Sequence, residues 1–203
     1  MSKEFKPITL SNKVIVSDPC YTRGIWCTGT FDNVKPGKYI PYLIYGSEEG
    51  SRDDTRVYEL AVVHESADPI FPAQWTEADF EVGVDSGQAG VFCDSLYPVG
   101  ENNGEYEEPN SFYGACCNAT LGEGYRMIND WFAHGKTGPR PEWAQGDSVF
   151  DKGFVSCSGY GDGGYSCFFA VDDDDQIIAI KIVFAGEEAE EEDLESDFEN
   201  NEE

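Results

Sequence analysis

Three turns in this sequence each receive an aspartate from a preceding apolar run: Asp18-Pro19, Asp85-Ser86-Gly87 and Gly161-Asp162-Gly163. Glycine on both sides of Asp162 lets another group approach its carboxylate closely. Ser156 and Ser158 alternate onto one face of the strand that leads into that turn. With Asp94, the three aspartates make a candidate carboxylate cluster, and several like charges in one place must share protons or hold a cation. Oxygen donors of this kind suit Mg²⁺ or Ca²⁺. The ligand-binding set read from the sequence is Asp18, Asp85, Asp162, Ser156, Ser158 and Gln88, and the metal set is Asp18, Asp85, Asp94 and Asp162. The same pattern has a structural reading, because Asp-Gly is a common hairpin signal and Gly-Asp-Gly-Gly between apolar strands also makes a turn or bulge.

Other chemistries find less support. Only His64 and His134 are present, too few for a multi-histidine metal site. Cys116-Cys117 with His134 lacks a spacing that marks a thiol nucleophile and its base. No phosphate-binding glycine loop with its lysine occurs, and no nucleophile-elbow pentapeptide. The seven cysteines form no CxxC pair, which leaves them as reduced, buried small hydrophobes.

The elements that must position these turns are mostly strands. Residues 154–160, 165–171 and 177–184 read as a three-stranded meander, in which Ile178, Ile180, Ile182 and Phe184 take one buried face at a period of two. Residues 13–17, 26–31, 38–45 and 55–64 are further strands, with Pro41 marking an edge or a bulge. Residues 67–80 read as a connection with one helical turn near 76–80, and residues 122–134 as the helix, with Tyr125, Ile128, Trp131 and Phe132 on one face. Asp172 to Asp175 reads as an exposed turn. The fold class expected is mainly β, an antiparallel sheet or β-sandwich with one short helix. It forms a single domain over residues 1–186 with an insertion at about 100–150, and residues 187–203 form an acidic disordered tail.

The net charge is −27, from 13 basic and 40 acidic residues. Residues 187–203 hold 11 acidic and no basic residues, so the remainder carries 13 basic and 29 acidic, a net of −16. A body of this sign repels phosphates and anionic membranes, so direct nucleic acid and membrane binding are disfavoured and a basic or nucleic-acid-binding protein is the expected partner. The N-terminal residues carry no apolar signal segment and no run of about 18 apolar residues occurs, so the expected location is the cytoplasm.

SDPCY at 17–21, VKPGKY at 34–39, RV at 56–57, GVDSGQAGVFCD at 83–94 and SGYGDGGY at 158–165, taken in order, resemble the bacterial and phage family called domain of unknown function 4241. The resemblance spans residues 13–184. It implies a small, mainly β domain in which Asp18, Asp85 and Asp162 are motif positions, and it implies no reaction. The chain departs from that pattern at Cys20-Tyr21, at the insertion and at the tail. The leading functional expectation is a non-enzymatic acidic binding protein, a phage or accessory bacterial factor that engages a basic protein or a small ligand at the aspartate turns. The alternatives are a hydrolase whose aspartate-held divalent metal activates water, and a virion component.

Overall fold

The computed structural model describes residues 2–45, 57–67, 72, 74–100, 103–104, 111–120 and 152–184. They form two antiparallel sheets. The larger contains β1 (Ser2–Glu4), β2 (Ile8–Leu10), β5 (Gly37–Tyr45), β6 (Val57–His64), β7 (Thr76–Val84), β10 (Gly163–Val171) and β11 (Ile177–Val183). Its order is β1-β5-β6-β11-β10-β7, with β2 also on β5. The smaller contains β3 (Val14–Ser17), β4 (Gly29–Phe31), β8 (Gln88–Cys93) and β9 (Gly153–Cys157), in the order β4-β3-β8-β9. Among the described residues one helix, α1 (Phe112–Thr120), follows the smaller sheet's third strand.

Alternation explains the packing. Leu60 and Val62 of β6, Ile180 and Ile182 of β11 and Val82 of β7 meet Val14, Val16 and Val91 of the smaller sheet in one core, as expected of two facing sheets. The opposite faces are also covered, which is why β6 and β11 read as nearly continuous apolar runs. On the larger sheet Tyr42, Ala61, Val63, Ala170 and Ala179 pack under Trp75 and Ala67. On the smaller, Ile15, Phe92 and Val155 pack under Tyr97 and the Ala115 and Cys116 face of α1. The mainly β sandwich read from the sequence is thus the fold.

Several details differ. The expected meander is split: β10 and β11 pair with each other, whereas β9 pairs with β8 in the other sheet. The chain changes sheets at Gly159, whose φ of +70° favours glycine and whose Cβ position would lie 2.0 Å from the Val57 carbonyl oxygen. Residues 76–80 are not helical but begin β7, because pairing with Phe168 and Phe169 of β10 overrides the weak β preference of Glu77, Ala78 and Asp79. Pro41 lies inside β5, next to β6, rather than on an outer strand. Its carbonyl accepts from Phe5 N–H at 3.1 Å, so its missing donor faces the gap between β1 and β2, where no ladder bond is lost. Of residues 26–31 only Gly29–Phe31 is strand. The helix expected over 122–134, most of the insertion and the acidic tail lie outside the described residues. No charge pattern announced α1; its start is capped by Ser111 Oγ, which accepts from Gly114 N–H at 3.0 Å.

Side chains staple the turn before β5 to the rest. Asp172 accepts from Asp174 N–H and Gln176 N–H, both at 3.0 Å, closing the β10–β11 turn, and pairs with Lys35 Nζ at 2.7 Å. His64, buried at the end of β6, accepts from Ser66 N–H at 3.1 Å through Nδ1. Its far side is pressed against Gly37, where a Cβ would stand 2.4 Å from Nε2.

Candidate functional site

The three aspartate turns come to one end of the sandwich because two strand pairs change sheets there together. β7 runs into β8 through Asp85-Ser86-Gly87, and β9 runs into β10 through residues 158–162. Gly163 pairs with Val84, so Asp162 continues opposite Asp85, and Ser158 N–H donates to the Gly87 carbonyl at 2.9 Å. β3 ends beside them, since Ser17 pairs with Gly90, and delivers Asp18 to the same corner.

Asp18 is fully buried, with 0 % exposure. Its Oδ1 accepts from Cys20 N–H at 2.8 Å and Ser86 Oγ at 2.7 Å. Its Oδ2 accepts from Asp85 N–H at 2.9 Å and Ser86 N–H at 2.7 Å. Four donors fill the lone-pair positions of one carboxylate, so this side chain clasps the β3–β4 connection to the β7–β8 corner. Tyr97 extends the clasp by donating to the Tyr21 carbonyl at 2.6 Å. Asn103 Nδ2 donates to the carbonyls of Pro19, at 3.0 Å, and Tyr21. The Asn103 Oδ1 is a buried acceptor with no partner.

The remaining sequence-selected groups divide between interior and surface. Gln88 is buried and donates to Cys117 Sγ at 3.1 Å, which fixes α1 to β8. Buried Ser156 donates to the Cys157 carbonyl at 3.1 Å. Buried Ser158 Oγ donates to the Gly161 carbonyl at 2.7 Å and accepts from Gly161 N–H at 3.1 Å, closing its own turn. Asp85 and Asp162 project as exposed residues. Asp94 is parted from the others: it follows Cys93, which pairs with Val14 at the far end of β3, and it binds Arg23 Nη1 at 2.5 Å. Among the described residues, no three His, Cys, Asp or Glu side chains stand where they could hold one metal ion.

The thiols near the clasp are poorly suited to nucleophilic work. Burial pushes Cys20 up from the ordinary thiol range, and the Asp18 and Asp85 charges add to it. Burial likewise raises Cys116 and Cys117, so the thiolate that would attack is suppressed. Cys93 is the exception. Burial opposes its ionisation, but hydrogen bonds with Ser11 and Ser95 outweigh that and bring it below the ordinary value.

One surface group was missed. Glu77, Asp79 and Glu81 are exposed at alternate positions of β7, on the face away from the core. The alternation with Ala78, Phe80 and Val82 is visible in the sequence and is the signal that could have found them. The residues of β10 that pair with this strand are Gly163, Gly164, Tyr165, Ser166, Phe168 and Phe169, none of them cationic. Ser166 Oγ donates to Glu77 at 3.1 Å, and among the described residues no salt bridge reaches the three carboxylates. Compared with family models, curated proteins and solved structures, the chain matches none. No helix among the described residues is long and apolar enough to cross a membrane.

Proposed function

We propose that this is a non-enzymatic binding protein whose acidic face engages a basic protein. The observation that carries this reading is the unneutralised row of Glu77, Asp79 and Glu81 along β7, which leads at the strand's end towards exposed Asp85 and Asp162. Carboxylates that no cation among the described residues pairs, in a chain of net charge −27, raise a local field that attracts and orients a cationic surface. A partner that itself binds nucleic acid fits the same chemistry, with the carboxylates taking the place of phosphates. A cytoplasmic phage or accessory bacterial factor, and kinship with domain of unknown function 4241, belong to this proposal. They are supported by the order of the motifs around Asp18, Asp85 and Asp162. The geometry favours neither the divalent-metal hydrolase nor the virion component.

The test is titration of the full chain with a lysine-rich peptide at low and at physiological salt. Neutralising the row (Glu77→Gln, Asp79→Asn, Glu81→Gln) should weaken binding, whereas neutralising Asp173, Asp174 and Asp175 in the β10–β11 turn should not. Equal losses from the two triple variants would mean diffuse charge attraction and would sink the reading.

A further inference from the structure

Among the described residues β7 ends its sheet and ladders with β10 alone. Gly83 N–H is turned away from β10 and donates to the Cys27 carbonyl at 3.1 Å. Backbone groups alternate sides along an antiparallel strand, so Glu81, two residues earlier, directs its N–H and C=O to that same outer edge. Among the described residues no backbone group meets the edge over residues 76–81. The opposite margin of the sheet is treated differently, since β5 there is paired by both β1 and β2. Trp26, the chain neighbour of Cys27, is 84 % exposed. Tryptophan is enriched among the residues that anchor protein contacts.

The chemistry of the edge selects its occupant. A second copy of β7 would set Glu77, Asp79 and Glu81 against themselves, and like charges on adjacent strands repel. An extended segment with lysine or arginine at alternate positions would set cations against these carboxylates, with side chains on one face of a regular strand recurring every ~6.8 Å; the register shift of β7 against β10 between Glu77 and Glu81 bends that spacing locally. The segment's intervening residues would project towards half-buried Ala78 and Phe80 on the inner face of β7, which favours apolar side chains there. We infer that the free edge of β7 takes up a basic–apolar alternating segment of a partner protein as an additional strand. The inference rests on the acidic-face reading above and adds the mode of binding and the sequence pattern of the partner.

A capped peptide of Lys-Val repeats, titrated against the full chain, tests it. Two further peptides carry N-methyl groups on every lysine or on every valine. Strand addition uses the peptide N–H groups of one set only, so one methylated peptide should bind at least about tenfold more weakly while the other binds like the parent. The Glu81 amide should also exchange its hydrogen more slowly in the complex. If both methylated peptides bind like the parent, but the row-neutralised variant binds none of them well, strand addition is overturned and the acidic-face reading stands. If the parent peptide fails to bind at low salt, both fall.

Discussion

Asp18 and Glu81 carry the same chemical group and lie within one sheet-crossing corner of each other, yet they have opposite surroundings. Asp18 is sealed from water and accepts four protein hydrogen bonds. Glu81 stands on an exposed face with no cation among the residues that pair with its strand. The lesson is that acidity in this chain has two uses. Where backbone donors converge, a carboxylate fastens the fold; where they do not, it stays exposed to solvent, and that exposed charge is what the proposed binding function draws on.

The contrast is broken most severely at Asp18. Hydrogen bonds to a charged group contribute about 1.5–3 kcal/mol each, and removing the acceptor strands buried donors. Asp18→Ala should therefore lower the free energy of unfolding by about 3–5 kcal/mol, close to the whole stability of many domains, and Asp18→Asn by somewhat less. Urea denaturation of both reads this directly. A loss below about 1 kcal/mol would show that the clasp is not what holds the corner.

The corner itself is the next test. Gly159→Ala forces a side chain into a left-handed backbone position against the Val57 carbonyl. A cost of at least about 1–3 kcal/mol follows. Gly161, also at positive φ but with nothing within 4 Å of its Cβ position, should tolerate alanine better, and the ranking of the two midpoints checks the steric part.

A smaller effect is expected with pH. Burial first, and then the charge of Lys35, hold His64 below its ordinary value of 6.5. The unfolded chain therefore takes up a proton near pH 6.5 that the folded chain refuses, so stability is fully present at neutral pH and declines as pH falls through that value. A hydrogen bond with the Pro36 backbone, and then the charges of Glu65 and Asp172, oppose the shift but do not cancel it. Denaturation midpoints between pH 7.5 and 5.5 should fall more steeply for the native chain than for His64→Gln; parallel curves would remove the assignment.

The smallest effect on stability belongs to the β7 row. Neutralising Glu77, Asp79 and Glu81 should change the unfolding free energy by no more than about 0.5 kcal/mol per site, as for ordinary surface changes, while lowering affinity for a basic peptide. A large loss of stability would move these residues to the structural side of the comparison.

Much of the sandwich is legible in local pattern. The β-branched and aromatic runs that become β3, β5, β6 and β11 announce themselves by strand preference, although in β11 it is Ile177 and not Ile178 that joins Ile180, Ile182 and Phe184 in the core. β7 was obscured where alternation and strand preference disagree: Glu77, Ala78 and Asp79 are poor strand formers, although apolar and acidic residues alternate through them. α1 carries no acidic residue in its first turn and no basic residue in its last, so the charge signals of a helix were absent and the capping Ser111 was left as the one local mark of its start. The candidate turns were legible as turns, but their roles were not. Nothing near Asp18 reveals that its partners, Asp85 and Ser86, lie 67 and 68 residues further along the chain.

Sequence by itself determined the class of fold, the excess of negative charge and the turns at which aspartates sit, because periodicity, composition and turn chemistry are local properties. Tertiary structure alone decided that β9 leaves its neighbours for the other sheet, that Asp18 is consumed by the fold and that the carboxylates of β7 are left exposed. Those outcomes depend on which backbone donors and apolar faces meet across long separations, and a carboxylate carries no local mark of whether such donors will reach it.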